Sequence, residues 1–284
     1  MNTLANRDRS AAARELLDFY AAAGVDAAVG EIAVDRLAPT QDPPSELTAT
    51  APQAVSSPPR RPEPPSRPPD FALAPAPASP DIAVMAARET ARSAASLDEL
   101  RDLLARFEGC ALRTTAKQLV FADGNPAARV MFVGEAPGRD EDIAGLPFVG
   151  RSGKLLDLMM AAIALDRTSA YIANVIPWRP PGNRTPTPQE TQICLPFTLR
   201  QIELANPDIL VCLGGPSSQT LLGVKEGIKR TRGRWFTFHT GTREIRAIAT
   251  FHPAYLLRSP LEKRFAWRDL LAIKKALNER MPTG

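Results

Sequence analysis

Short apolar runs alternate with longer segments of helical periodicity over most of the chain. The runs with the length of buried strands are residues 130–133, 171–175, 209–213 and 245–250. The segments with apolar residues at helical spacing are residues 97–109, 155–165, 187–204 and 260–277. Strands that alternate with helices in this way are typical of a parallel sheet covered on both faces. The pattern predicts an α/β fold, a three-layer α/β/α sandwich with a central four-stranded parallel sheet.

Two of the predicted helices begin at capping boxes. In such a box a serine or threonine side chain and a glutamate three residues later satisfy backbone N–H groups of the first turn. One box comprises Ser96 and Glu99, and the other comprises Thr187 and Glu190, with Pro188 at the first helical position. These boxes fix where the two helices start.

The N-terminal part of the chain has a different composition. Of the 28 prolines, 14 fall between residues 39 and 80, and such a segment cannot bury enough apolar surface to offset its ordering entropy. We therefore expect a short helical segment at 1–36, a disordered proline-rich linker at 37–86 and a folded catalytic domain at 87–284. An isolated helix at 11–23 would be marginal in water, so it is expected to dock on the body or on a protein partner, or to fray.

The composition predicts a soluble protein that is not exported. A chain of 284 residues, 44% of them hydrophobic, can form one good core. No segment resembles a secretion signal, and no run approaches the roughly 18 apolar residues of a membrane span. Three cysteines suit a reducing cytoplasm, and we expect a cytoplasmic monomer without membrane contact. The net charge of +4 is compatible with a polyanionic partner but too small to demand one.

Polar or glycine-rich residues follow each of the four predicted strands. They are Glu135, Asn174, residues 214–215 and His252. Taken singly they are weak, because a glycine-rich turn or a lone histidine before proline is more often structural. The GxxxxGK[ST] pattern is missing, which disfavours a kinase or a nucleotidyl enzyme. However, the carboxyl ends of parallel strands share one rim, the usual ligand site in open α/β sheets. Together the four positions predict an active site.

Three segments resemble the motifs of family 4 uracil-DNA glycosylases, in the family's order and spacing. They read GEAPGRDEDIAGLPFVG at 134–150, NVIPWRPPGNRTPTP at 174–188 and TFHPAYLLR at 250–258. The resemblance extends from about residue 97 to the C-terminus. It implies a DNA repair enzyme that hydrolyses the N-glycosidic bond of uracil in single- or double-stranded DNA and leaves an abasic site for base excision repair.

The resemblance also implies how the base is held. Phe148 would stack on the extruded uracil, and the backbone amides around Ala136 would complete the pocket. Asn174 would read the uracil edge through an amide that both donates and accepts, which rejects cytosine. His252 would donate a hydrogen bond to a uracil carbonyl oxygen.

Bond cleavage leaves positive charge on the deoxyribose and negative charge on the departing pyrimidine. The reaction therefore gains most from preorganised donors at the uracil oxygen and from a carboxylate near the sugar. Glu135 and Glu141 are the candidates to position the attacking water or to stabilise the cationic sugar. The sequence does not rank them.

Residues beside the motifs are expected to contact DNA. A base inside a duplex must be flipped out, and Leu256 and Leu257 are candidate wedges for the emptied stack, with core leucines on a helix face as the other interpretation. Arg179, Arg184 and Arg258 are candidate phosphate contacts, which would make binding salt-dependent.

The cysteines depart from the family pattern. Family 4 enzymes usually hold a 4Fe-4S cluster with four cysteines, but here Phe107 and Trp178 stand at two of those places and Cys110 and Cys194 at the others. A cubane cluster needs four ligands. We therefore expect no cluster and no metal, and we expect the four side chains to pack as an apolar plug.

Two other functions are compatible with the sequence. One is a related glycosylase that excises another deaminated base, such as hypoxanthine or xanthine, or that traps its DNA covalently. The other is a non-catalytic DNA-binding module, for which the missing cysteines would be a sign of decay. The polar set of Glu135, Asn174 and His252 argues against decay, because a scaffold has no need of it.

Overall fold

The computed structural model describes residues 80–279, and the expectations for residues 1–79 lie outside this range. The described chain forms an α/β fold. Its α-helices are α1 (Pro80–Ser93), α2 (Leu97–Arg106), α3 (Leu112–Thr115), α4 (Arg139–Ala144), α5 (Arg151–Ala161), α6 (Pro188–Ala205), α7 (Gly215–Leu222), α8 (Ile228–Thr231), α9 (Pro253–Arg258) and α10 (Lys263–Asn278). Short 3-10 turns at Pro181–Asn183 and Pro260–Glu262 complete the helical elements of this range.

The described strands form one six-stranded sheet of order β1-β3-β2-β4-β6-β5. The strands are β1 (Asp123–Gly124), β2 (Val130–Gly134), β3 (Tyr171–Asn174), β4 (Ile209–Leu213), β5 (Trp235–His239) and β6 (Glu244–Thr250). The central four, β3-β2-β4-β6, are parallel and correspond to the four predicted strands. The edge strands β1 and β5 pair antiparallel and were not predicted.

Helices cover both faces of the sheet, which confirms the three-layer prediction. Met131 and Val133 of β2 belong to a core cluster with residues of α1, α2 and α6. Val130 and Phe132, which alternate with them, belong to a second cluster with residues of α5, α9 and α10. Every residue of β2 and β4 is buried, as is usual for strands of a parallel sheet between two helical layers.

The folded body begins earlier than the sequence analysis proposed. Residues 80–86, assigned to the linker, are the first part of α1. The buried face of α1 consists of alanines, Ala83, Ala87 and Ala91, which let this helix pack closely on α6. Because alanine contributes little to a hydrophobic pattern, the periodicity of this helix was missed.

Both capping boxes place their serine or threonine at the N-cap. The Glu99 amide donates to Ser96 Oγ at 3.2 Å, and the Glu99 carboxylate accepts from the Ala95 amide at 2.7 Å. The predicted box at Ser96 is therefore not reciprocal, because Glu99 bonds the Ala95 amide and not that of Ser96. Thr187 and Glu190 form the full box, with bonds of 3.2 and 2.7 Å.

Other helix boundaries differ from the predictions by a few residues. The helix predicted to reach residue 109 ends at Arg106, the one predicted at 155–165 is Arg151–Ala161, and the closing helix is preceded by a 3-10 turn. No helix within residues 80–279 is long and apolar enough to cross a membrane.

Candidate active site

One cavity of about 580 Å³ lies where the four parallel strands end. Its lining includes the residue after β2, Glu135, the last residue of β3, Asn174, the residue after β4, Gly214, and the second residue after β6, His252. The four chain segments that the sequence singled out are thus brought together. Ala136, Glu141, Phe148, Arg184 and Arg258 also line this cavity.

Glu135 lines the cavity. Its backbone carbonyl accepts a hydrogen bond from the Ile176 amide at 2.9 Å, which ties the residue to the end of β3. Its side chain makes no hydrogen bond or ion pair with any residue of the described range. Burial raises the pKa of Glu135 above the ordinary glutamate value, since desolvation disfavours the charged form. This carboxylate is free to interact with a bound molecule.

The Glu141 carboxylate accepts hydrogen bonds from three backbone amides. It lies in the first turn of α4 and is buried. One carboxylate oxygen accepts from the Gly138 amide at 3.0 Å, and the other accepts from the amides of Val149 and Gly150 at 3.0 and 2.9 Å. Glu141 therefore joins the turn after β2 to the segment that follows Phe148. The two glutamates, equivalent in the sequence analysis, have different surroundings.

Asn174 and Phe148 meet above Gly134. Gly134 and Asn174 are paired in register on β2 and β3. A Cβ atom at Gly134 would collide with Asn174 Oδ1 and with Phe148 Cζ, so a larger residue here would displace these two side chains. The Asn174 side chain is buried at the cavity wall, and its amide makes no hydrogen bond with residues 80–279. This amide remains available to a ligand.

Phe148 has a left-handed backbone conformation, with φ of 56°. For a residue with a Cβ atom this conformation costs roughly 1–2 kcal/mol, so contacts around it must hold it. The ring is buried yet lies at the cavity wall, with its centroid 5.4 Å from that of the His252 ring. Phe148 thus forms one side of the space between Asn174 and His252.

His252 is the N-cap residue of α9. Its Nδ1 accepts a hydrogen bond from the Ala254 amide at 3.1 Å. An accepting Nδ1 carries no proton, which puts the proton of the neutral ring on Nε2. Burial lowers the pKa of His252 to about 4, and the positive charge of Arg258 adds to this effect. His252 is therefore a neutral donor at physiological pH.

The residues expected to contact DNA differ in exposure and in their hydrogen bonds. Leu256 is 1% exposed and packs in the core beneath the sheet, so its proposed role as a wedge is wrong. Leu257, the next residue, is 37% exposed. Arg184 pairs with both oxygens of Glu190, at 2.6 and 2.8 Å.

The other two arginines differ in whether the side chain is already engaged with another residue. Arg179 donates to Asn183 Oδ1 at 2.7 Å and lies outside the cavity lining. Arg258 is exposed at the cavity rim and forms no ion pair within the described range. Arg258 therefore has its charge fully available for a ligand.

Comparison with known proteins identifies the family. Residues 121–271, which carry all of the cavity-lining strands, match the model of the Uracil DNA glycosylase superfamily. The chain belongs to this superfamily. The match confirms the resemblance drawn from the three motifs.

Curated members of the uracil-DNA glycosylase superfamily are similar to the chain over most of their length. The Type-4 uracil-DNA glycosylase of Archaeoglobus fulgidus is 38% identical over 192 residues, which cover 66% of this chain and 96% of that protein. The Type-4 enzyme of Thermotoga maritima is 43% identical over 151 residues, 53% of this chain and 77% of that protein. The one from Saccharolobus solfataricus is 37% identical over 190 residues, 65% of this chain and 88% of that protein.

The four positions at which the motif resemblance implies cluster ligands do not offer the ligands of a 4Fe-4S cluster. Cys110 and Cys194 are buried with their Sγ atoms 3.8 Å apart. Phe107 and Trp178 belong to the same apolar core cluster, and neither can ligate iron. Within residues 80–279 no three histidine, cysteine or acidic side chains gather as a metal-binding group. Two thiols are half of the ligands that a cubane needs.

Phe107 packs against other residues of this core cluster. Phe107 contacts Phe197 edge to face, with ring centroids 5.0 Å apart. The Phe107 ring also covers Gly109, where an added Cβ atom would collide with it. The hydrogen bond from Cys194 lowers the pKa of Cys110, whereas that bond and burial raise the pKa of Cys194.

Sequence reasoning missed one residue that shapes this glycosylase site. Arg167 lies in the turn between α5 and β3, outside the three motifs, and donates hydrogen bonds to the carbonyl oxygens of Pro147 and Phe148. No motif or periodicity marks it. Only the folded chain shows that it reaches the segment that carries the pocket phenylalanine.

Proposed function

We propose that this member of the uracil-DNA glycosylase superfamily hydrolyses the N-glycosidic bond of uracil in DNA, leaves an abasic site and thereby starts base excision repair. One observation carries the proposal. A free carboxylate, a free amide, an aromatic ring and a neutral imidazole line the same cavity, at Glu135, Asn174, Phe148 and His252. The names of the relatives, each a Type-4 uracil-DNA glycosylase, support the same substrate.

The imidazole of His252 is the group that would stabilise the departing base. As the bond breaks, negative charge accumulates on the uracil ring. The Nε2–H of His252 is the donor that would stabilise this charge at a uracil oxygen, and its orientation is set by the bond from Ala254 to Nδ1. A neutral donor does not have to transfer its proton, and preorganised donors of this kind supply about 3 kcal/mol of transition-state stabilisation.

Glu135 is the group that would act at the deoxyribose. Positive charge develops on the deoxyribose, and a carboxylate that faces the cavity without an internal partner can stabilise this charge or orient the attacking water. Glu141 has both oxygens engaged with backbone amides and would have to release them to do the same. We therefore assign the chemical role to Glu135 and a positioning role to Glu141.

Asn174 and Phe148 supply recognition. The amide of Asn174 can accept from the uracil N3–H and donate to a neighbouring carbonyl, a pattern that is reversed in cytosine. The Phe148 ring offers a face for stacking, which is worth about 1–3 kcal/mol per base. Backbone amides near Ala136 complete the set at the cavity wall.

DNA would approach over the rim that holds Arg258 and Leu257. Arg258 has no partner among the described residues and is suited to a phosphate, whereas Arg179 and Arg184 would first have to leave internal hydrogen bonds. Leu257, exposed on the cavity-lining helix α9, is the candidate to fill the gap left by a flipped base. The ratio of excision from duplex and single-stranded substrates in Leu257→Ala tests this role.

We further propose that the protein works without an iron–sulfur cluster. Phe107, Trp178, Cys110 and Cys194 pack together as an apolar plug in its place. The protein purified without oxygen is expected to contain no stoichiometric iron or acid-labile sulfide, and to show no broad visible absorption. The double variant Phe107→Cys/Trp178→Cys, with four thiols at the cluster positions, is the control for loading conditions. Four irons and four sulfides per wild-type chain would contradict this proposal.

The three cysteines are free thiols, which fits a reducing compartment, and we extend the proposal to a cytoplasmic monomer. The molecular mass of the purified chain, measured by analytical ultracentrifugation, tests whether it is a monomer. A protein partner for residues 11–23 stays a prediction from the sequence.

Release of free uracil from a defined oligonucleotide tests the proposed function. The wild-type protein is expected to release uracil, and Asn174→Ala to be slower by about thirtyfold to a hundredfold, because the buried edge of the base loses its partner. An inosine substrate and a denaturing gel run in parallel distinguish the alternatives. Preferential release of hypoxanthine would indicate a shifted base preference, a denaturant-stable DNA adduct would indicate covalent trapping, and binding without release would indicate a non-catalytic module.

A further inference from the structure

Phe148 holds a backbone conformation that its own side chain does not favour. Its φ of 56° lies in the left-handed region, and it precedes Val149 and Gly150, which are bonded to Glu141. The peptide units after Phe148 are thus held by an anion that accepts from their N–H groups. What holds the carbonyl groups of Pro147 and Phe148 lies elsewhere in the chain.

A single guanidinium holds these two carbonyl groups. Arg167 donates to the carbonyl oxygen of Phe148 at 2.5 Å and to that of Pro147 at 3.2 Å. It also donates to Asp157 Oδ1 at 2.9 Å and to Asp123 Oδ2 at 2.5 Å. Two carboxylates therefore fix the guanidinium plane, and the plane fixes two carbonyl groups.

The Phe148 carbonyl has almost no freedom between its neighbours. On the side of α5 it faces Gly153, where a Cβ atom would collide with the carbonyl oxygen. On the other side it meets Arg167, which is only a quarter exposed. The carbonyls are held by a cation and the following amides by the Glu141 carboxylate, so the turn at Phe148 is clamped by charges of opposite sign.

This clamp determines where the aromatic ring lies. The Phe148 ring lies against Gly134, beside Asn174, and its centroid is 5.4 Å from that of His252. A rotation of the Phe148 backbone to negative φ would move the ring away from both. Arg167 itself lies outside the cavity lining, so it acts on the site through Phe148.

We infer that Arg167 is a positioning residue, which holds the Phe148 backbone so that the ring stacks on the base bound between Asn174 and His252. The inference rests on the proposed function for the nature of that base. Asp123 and Asp157 orient the arginine, and Arg167 makes no contact with the substrate. The role requires the planar fork of arginine, because lysine offers a point charge that cannot reach two carbonyls and two carboxylates together.

Arg129 provides a matched control. It too joins a carboxylate and a backbone carbonyl, with 2.6 Å to Asp208 Oδ2 and 2.6 Å to the Leu277 oxygen. However, it immediately precedes β2, at the end of the sheet opposite the cavity. Arg129→Gln therefore reports what loss of such a contact does to stability alone.

The test measures kcat/KM for uracil release and the melting temperature of Arg167→Gln, Arg167→Lys and Arg129→Gln. We expect Arg167→Gln to lose about thirtyfold or more in kcat/KM, Arg167→Lys to recover only part of this loss, and Arg129→Gln to stay within about twofold at a comparable drop in melting temperature. In a Phe148→Ala background, Arg167→Gln should lower kcat/KM by less than about twofold, because the ring that Arg167 positions is already absent.

A crystal structure of Arg167→Gln gives the readout that does not depend on activity. We expect Phe148 to have left φ near +56°. An unchanged Phe148 with full activity would overturn the inference, as would equal losses in the presence and absence of the Phe148 ring. A wild-type protein that releases no uracil would instead count against the proposed function, and the Phe148 conformation in the variant would still decide the role of Arg167.

Discussion

Replacement of Glu135 by glutamine is expected to lower the single-turnover rate of uracil release by about a thousandfold at neutral pH. The amide keeps the size of the side chain but removes the negative charge that faces the developing cation in the cavity. Loss of one preorganised electrostatic group of this kind typically costs between a hundredfold and a thousandfold. Rapid-quench measurement of uracil release, with enzyme in excess over the oligonucleotide, isolates this step from product release.

The same variant should change the pH dependence. Because burial raises the pKa of Glu135, its carboxylate is protonated at a higher pH than an exposed glutamate, and wild-type activity should fall as the pH drops through that raised value. His252 cannot cause this decline, since its pKa is about 4 and it is still neutral there. The acid decline should disappear in Glu135→Gln. It should persist in Glu141→Gln, which is expected to be less stable and less active because glutamine keeps only one acceptor oxygen and turns an NH2 group toward the amides that the other oxygen had bound.

An acid decline that survives in Glu135→Gln, or a rate within about tenfold of wild type, would assign the carboxylate role to another group. Glu141 would then be the candidate to re-examine. The comparison separates the two residues because both line the cavity, but only Glu141 has its carboxylate oxygens bonded to backbone amides, a difference that their positions in the motif do not express.

The parallel strands and the capped helices could be predicted because their signals are local. An apolar run such as residues 209–213 indicates a buried strand by its own composition, without reference to distant residues. β4 has the predicted bounds and all of its residues are buried. The edge strands lack such a signal. β1 has only two residues and exists because Asp123–Gly124 lies beside β3, and β5 has exposed positions that interrupt its apolar pattern.

The site was predictable to the level of its segments but not of its individual roles. The rule that strand ends share a rim placed Glu135, Asn174 and His252 at one cavity, as the structure has them. Whether Leu256 or Leu257 is exposed depends on the rotation of α9 against the sheet, which no motif encodes. Arg167 reaches Phe148 across 19 positions, through hydrogen bonds that only the folded chain defines.

Replacement of His252 by alanine is expected to slow uracil release by a hundredfold to a thousandfold while leaving DNA affinity nearly unchanged. The ring supplies a donor to the departing base, so its loss affects the transition state, whereas affinity for DNA rests mainly on phosphate contacts. Single-turnover rates and fluorescence anisotropy on the same oligonucleotide measure the two effects separately. The decrease should be about the same at pH 6 and pH 8, because a histidine with a pKa of about 4 is neutral at both.

His239 is the matched control, because it shares the local geometry of His252 without the cavity. Its Nδ1 accepts from the Gly241 amide at 3.1 Å, as that of His252 accepts from Ala254 at 3.1 Å, but it lies exposed at the end of the edge strand β5. His239→Ala should therefore excise uracil at the wild-type rate. If the His252 variant kept this rate as well, the donor to the uracil oxygen would have to be a backbone amide, and the electrostatics of leaving-group departure would rest on the turn after β2 rather than on the imidazole.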